Sequence, residues 1–158
     1  MINIVVTATP AAVATDTPPP VVSPSPTTPV AATEPAMSVT VQLETIYGGM
    51  PFELRYDPGS WNFLADPPET FVHRSISGCS FTQGAGRGLS PGPIEEERRP
   101  IAGREFTVRT YPADNLAIFT LEIPEGRYEF HMEAAGETLA RCREETARML
   151  ESFRVITR

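Results

Sequence analysis

The stretch "NLAIFTLEIPEGRYEFHMEA", residues 115–134, decides the fold. Its second half alternates without a break. Tyr128, Phe130, Met132 and Ala134 oppose Arg127, Glu129, His131 and Glu133. A period of two puts the first set on one face of a strand and the second on the other, the mark of a half-buried antiparallel strand. The first half is apolar on both faces over part of its length, which suits a strand in the interior of a sheet. "PEG" (124–126) between the halves carries turn chemistry, so the stretch reads as a hairpin.

The same period recurs outward from this hairpin. "REFTVRTY" (104–111) sets Phe106 and Val108 against Glu105, Thr107 and Arg109, and "PADN" (112–115) turns it into the hairpin, giving a three-strand meander. "SVTVQLETI" (38–46) and "PFELRYD" (51–57) alternate likewise and are joined by "YGGMP" (47–51). "DPGS" (57–60) is a tight turn with Pro-Gly at its centre. "TFVHRSIS" (70–77) is a weaker strand. "GSWNFLADPPE" (59–69) is expected as a second helix or an irregular turn, sending Trp61 and Phe63 into the core.

The period changes once. Over about residues 137–152, Leu139, Cys142, Thr146, Met149, Leu150 and Phe153 recur at helical spacing and form an apolar stripe. Glu137–Arg141 and Glu144–Arg148 are i,i+4 pairs in the favourable order. "RVI" after the helix suits a short edge strand. The expected class is α+β: a twisted antiparallel sheet with helix packed on it.

Composition divides the chain. Residues 1–37 hold eight prolines, no basic residue and no aromatic. Such a segment buries too little apolar surface to offset its chain entropy. It is expected as a Pro/Thr-rich stalk, reaching on the order of 100 Å when extended. Residues 38–158 are expected as a single domain. Asp16 and Glu34 are the only charges in the first segment, so the other 18 acids face all 13 arginines, and the domain's formal charge is −5. That balance argues against nucleic acid or an anionic membrane surface as partner. No stretch is long and apolar enough to span a bilayer. "MINIVV" lacks a positive n-region and a full h-region. Membrane attachment, if any, is expected through an anchor upstream, and the location is expected to be extracytoplasmic, secreted or membrane-anchored.

Cys79 and Cys142 are the only thiols. They could be two inert buried residues, or a bridge; without a CxxC or a nearby histidine they lack metal-ligand spacing. Export favours the bridge, so a Cys79–Cys142 disulfide is expected. Cys142 lies on the apolar stripe of the helix, which points it at the sheet.

The remaining motifs are weak. "GCSFTQGAGRGLSPGPIEEERR" (78–99) alternates Gly84, Gly86 and Gly88, yet Leu89 stands where a dinucleotide fingerprint needs glycine. A P-loop needs a lysine, and the chain has none. The segment reads as a long surface loop, with Arg87 as its obvious anchor for a partner. "EEERR" (95–99) reads as a solvated run at a loop–strand boundary. Glu129, His131 and Glu133 share one strand face, which could present a weak metal site, though a polar outer face explains them as well. No GxSxG elbow exists. No cofactor is expected, and no catalytic residue.

"FELRYDPGSW" (52–61), an amphipathic strand followed by Tyr-Asp-Pro and then Trp two residues past Gly, resembles the opening of PsbP-like domains. That fold is shared by photosystem extrinsic subunits and a Ran-binding nuclear import factor. "AIFTLEIP", "YEFHMEAA" and a C-terminal helix ending "MLESFRV" extend the resemblance over most of 38–158. It is similar also to small bacterial lipoproteins with a Pro/Thr-rich lead. The resemblance implies a central antiparallel sheet flanked by helices, an α/β/α sandwich, in a domain that binds other proteins and has no shared catalytic set. The expected function is thus a non-catalytic exported domain binding a protein or envelope partner. Arg87, Tyr111 and Trp61 are the candidate contacts, with Trp61 better suited to the core. The alternative is an extracytoplasmic module that binds a small ligand or metal in a pocket between sheet and helix.

Overall fold

The computed structural model describes residues 38–84 and 88–157, which fall within one compact unit, Glu34–Arg158. The expected 1–37 stalk lies outside the described residues. In chain order the elements are β1 (Val39–Leu43), β2 (Phe52–Tyr56), β3 (Trp61–Leu64), β4 (Thr70–His73), β5 (Ser80–Gln83), β6 (Glu95–Ile101), β7 (Arg104–Tyr111), β8 (Leu116–Ile123), β9 (Gly126–Glu133), α1 (Leu139–Leu150) and β10 (Arg154–Val155). Short 3₁₀ turns, Pro112–Asp114 and Gly136–Thr138, precede β8 and α1.

The strands form two antiparallel sheets. The larger has seven strands in the order β3-β4-β5-β9-β8-β7-β6, and the smaller has the order β1-β2-β10. The β7-β8-β9 meander is the one expected, with β8 inside the sheet. β1 and β2 pair as the expected hairpin, and β10 adds a short edge beside β2.

Register sets the faces. Phe71 is opposite Phe81, Phe81 opposite Met132, Phe119 opposite Phe130, and Val108 opposite Phe119. All six are buried and form the inner face of the seven-stranded sheet. The small sheet and α1 cover that face. Phe52 of β2 lies 5.6 Å from Tyr128 and 5.5 Å from Phe130 between ring centroids. Phe153, just past α1, meets Phe52, Tyr128 and Phe130. Each of these rings removes roughly 150–250 Å² from water, so this aromatic knot dominates the core. The architecture is mixed α+β, mostly antiparallel sheet, with one α-helix among the described residues.

Two expectations are corrected and one is extended. Residues 61–64 form strand β3, not a helix or irregular turn. Trp61 pairs with His73 and Phe63 with Phe71. Two aromatics spaced by two fit one face of a strand, and the cis Pro67–Pro68 bond lies in the bend that follows it. "EEERR" is solvated and begins at a loop–strand boundary as expected, but the strand is longer than that run: Glu95–Ile101 extends seven residues along the sheet edge, so the glycine segment ends at 94. The i,i+4 pair Glu144–Arg148 does not form. Glu144 instead takes Arg99 of β6 in a two-pronged ion pair at 2.8 and 2.6 Å, and Arg148 takes Glu145. Arg99 meets Glu144 with both of its terminal nitrogens, the two-pronged geometry in which a guanidinium holds a carboxylate most strongly.

Candidate functional site

The outer face of the seven-stranded sheet carries the other set of the period-two pattern, from β9 to the β6 edge. Its charges are paired across and along strands. Arg109 meets Glu96 at 2.6 Å, Arg98 meets Glu105 at 2.9 Å, and Arg127 lies between Glu129 at 2.7 Å and Glu122 at 3.6 Å. A shallow hollow of about 350 Å³ runs among Arg98, Thr107, Arg109, Thr120, Glu122 and Arg127.

At its β9 end the face closes into a polar cluster. Glu129 Oε1 accepts from His131 Nε2 at 2.9 Å, which places the ring proton on Nε2. The Tyr47 hydroxyl lies 3.1 Å from Glu129 Oε1 and 2.7 Å from the Gly84 carbonyl oxygen. The Arg127 guanidinium sits over the Tyr47 ring. Burial works to raise the Glu129 pKa, but hydrogen bonds from His131, Arg127 and Tyr47 outweigh it and hold the carboxyl below the ordinary glutamate value. Burial first, then the Glu129 carboxylate, pushes the Tyr47 hydroxyl up.

The glycine segment explains why His131 is buried on an outer face. Gly84 donates its N–H to the Glu129 carbonyl at 2.9 Å, and a Cβ at Gly84 would overlap the His131 ring. The chain at Gly84 therefore lies on the imidazole. Farther along, Ser90 is fixed to the Asp114 carboxylate through both its N–H and its hydroxyl. The segment thus starts over β9 and reaches the β7–β8 turn. Gly86 and Arg87 lie outside the described residues.

Beside the cluster, the β1–β2 connection exposes Ile46, Tyr47 and Met50. It is held by Gln83, whose side chain accepts from the Ile46 N–H and donates to the Glu44 carbonyl.

A second concavity lies between α1 and the inner edge of the sheet. It measures about 210 Å³, with Thr110, Pro112, Leu139, Ala140 and Arg143 on its walls. Arg143 donates to Thr110 Oγ1 at 3.1 Å, while its buried Nε finds no partner among the described residues.

The expected site residues fall in different places. Cys79 and Cys142 are joined by a disulfide and are buried. Tyr111 ends β7 and is only 9 % exposed, so it offers a partner little surface. Trp61 is core, stacked edge-on to His73. Glu129 and His131 are committed to one another, whereas Glu133 is exposed at the far end of β9. Among the described residues no group of three or more acids, histidines and cysteines is placed to hold a metal. Tyr47 and Arg127 help carry the cluster and were not singled out as site residues by the sequence, which marked Gly84 only as part of a glycine-rich surface loop. Tyr47 sits in a turn motif, and nothing local says that Gly84 must lie on a ring 47 residues away.

No family model, no curated protein and no solved structure matches this chain.

Proposed function

We propose that the 38–158 domain is a non-catalytic, exported binding domain that engages a protein or envelope partner through the outer face of its larger sheet. The exposed Ile46, Tyr47 and Met50, set against an ion-paired sheet face, carry this reading. Apolar side chains beside polar groups that can exchange partners are what a binding surface needs. Exposed ion pairs are each worth only about 0–1 kcal/mol, so a partner displaces them cheaply. The one acid–histidine pair on this face is consumed in holding the loop, which favours binding over chemistry. The disulfide supports an oxidising compartment. The kinship with PsbP-like domains belongs to the same proposal. It rests on the "FELRYDPGSW" motif and on hairpin strands leading to a C-terminal helix; that fold flanks its sheet with helices, and one α-helix is present among the described residues.

Site-specific photo-cross-linking in living cells tests this reading. A cross-linker at Met50 or Arg109 should give a discrete adduct, and one at Arg55 on the small sheet should not. Absence of any adduct at the first two, or equal adducts at all three, defeats it.

The alternative is a small-ligand module, favoured by the unpartnered Arg143 Nε at the second concavity. At about 210 Å³ the space is below the roughly 300–1,000 Å³ of ordinary ligand sites. It would suit only a small anion-bearing molecule. Calorimetric titration with small carboxylates, compared with Arg143→Gln, separates the two readings: heat lost in the variant supports the ligand site, and no heat with either protein removes it.

A further inference from the structure

The larger sheet ends on β6 with no neighbour on its outer side among the described residues. This edge is unlike the other. β3 is four residues long and runs into the Pro67–Pro68 bend, whereas β6 is seven residues long and exposed from Glu95 to Arg98. Open edges are templates for another strand, and proteins ordinarily blunt them with charged side chains, proline or a bulge. β6 carries charge and Pro100, but its charges are of both signs, in an order, Glu-Glu-Glu-Arg-Arg, that is complementary to itself when reversed.

We propose that β6 is a homodimerisation edge, pairing antiparallel with β6 of a second copy across a twofold axis through Glu97. The geometry allows few registers. A twofold axis perpendicular to the sheet keeps inner faces together, so odd residues meet odd and even meet even. Centring on Glu97 sets Glu95 against Arg99 and Glu96 against Arg98, each twice, giving four opposite-charge cross-strand pairs and one Glu97–Glu97 contact. Moving the centre to Arg98 sets Arg98 against itself and Glu96 against Pro100, and leaves only Glu97–Arg99 as a favourable pair. Directly opposed unlike charges stabilise a strand pair and like charges oppose it, so the first register wins.

Hydrogen-bond direction agrees. Proline is accommodated on an edge strand when its nitrogen faces away from the neighbour. Pro100, opposite Glu105 of β7, therefore belongs to the outward set, and alternation puts Arg98 and Glu96 in the same set. In the Glu97-centred register those two residues meet and exchange N–H···O=C bonds. Pro100, which cannot donate, falls at the end of the ladder. Arg99 is already oriented by its fork with Glu144, which fixes the charge that Glu95 of the second copy would meet.

Sedimentation of the full chain over a concentration series, at low and high salt, tests this. The wild type should pass from monomer to dimer, with salt weakening the dimer. Glu96→Arg should raise the dissociation constant by at least about tenfold, since it turns two attractive pairs repulsive. The swap Glu96→Arg with Arg98→Glu should restore dimerisation. Circular dichroism on each variant checks that the monomer still folds. A second measurement does not depend on charge. Glu97 sits on the axis in a non-hydrogen-bonded pair, where Cα atoms approach to roughly 4.5 Å. Glu97→Cys, the only free thiol in the chain, should oxidise rapidly to a covalent dimer, far faster than Glu137→Cys in the exposed 3₁₀ turn before the helix. A wild type that stays monomeric throughout overturns the proposal, as does a dimer indifferent to Glu96→Arg, or equal oxidation of the two cysteine variants.

Discussion

Cys142 of α1 is bonded to Cys79, one residue before β5, with Cα atoms 5.6 Å apart and both side chains buried. The bond closes 63 positions of chain and ties the only helix described to the sheet strand that pairs with β9.

Removing that tie should be felt mainly in the unfolded state. In the chain-entropy model a loop of this length is worth about 4 kcal/mol, an upper figure that native strain reduces. Against a total of about 5–15 kcal/mol this is a large share. Cys79→Ala with Cys142→Ala should lower the urea midpoint strongly with little change in the folded spectrum. Thiol titration of the native, unreduced protein should find no free thiol; two would remove the bond.

His73 should make stability depend on mild acid. Burial lowers its pKa below the ordinary histidine value, and Arg141 adds to the effect while Glu145 opposes it. The geometry gives the reason: Nδ1 accepts from the Ser75 and Ile76 N–H groups, both at 3.2 Å, so a proton there would confront two donors. The folded state therefore binds the proton less readily than the unfolded chain. Stability is complete above the unfolded value of about 6.5 and is lost as pH falls from there through the lower folded value. Denaturation of wild type and His73→Asn between pH 8 and pH 5, roughly the span over which histidine titrates, should show the slope in the former and a reduced slope in the latter.

Gly84→Ala tests the loop's seat on His131. The added methyl would overlap the imidazole, so the ring must turn out of its bond to Glu129. Overpacking of this kind costs about 1–3 kcal/mol. The melting temperature should drop, and the His131 ring resonances should shift. Gly88→Ala, where nothing lies within reach of a Cβ, should leave both unchanged.

Thr146→Val should stabilise the protein. Thr146 faces the core from α1 with no exposed surface, and its Oγ1 finds no hydrogen-bond partner among the described residues. A buried hydroxyl left unpaired costs about 1–3 kcal/mol, and valine fills nearly the same space without that cost. Thermal unfolding should show a gain of about 1 kcal/mol; a loss would mean the hydroxyl has a partner.

The sequence by itself determined the strands whose one face meets water. Tyr128-Phe130-Met132 against Arg127-Glu129-His131 can be satisfied only by a sheet with one buried side, because side chains alternate with period two. The stripe from Leu139 to Phe153 likewise specified a helix and the direction Cys142 faces. What it could not specify were relationships that depend on distant partners. "EEERR" has no apolar alternation, so its strand character comes from pairing with β7, not from local preference. Glu144 had a suitable arginine four residues on, yet the fold offered Arg99 in a better fork. The outer-face cluster is the extreme case. Tyr47, Gly84 and Glu129 come from three separate stretches of chain, and only the packing of one backbone over one imidazole brings them together.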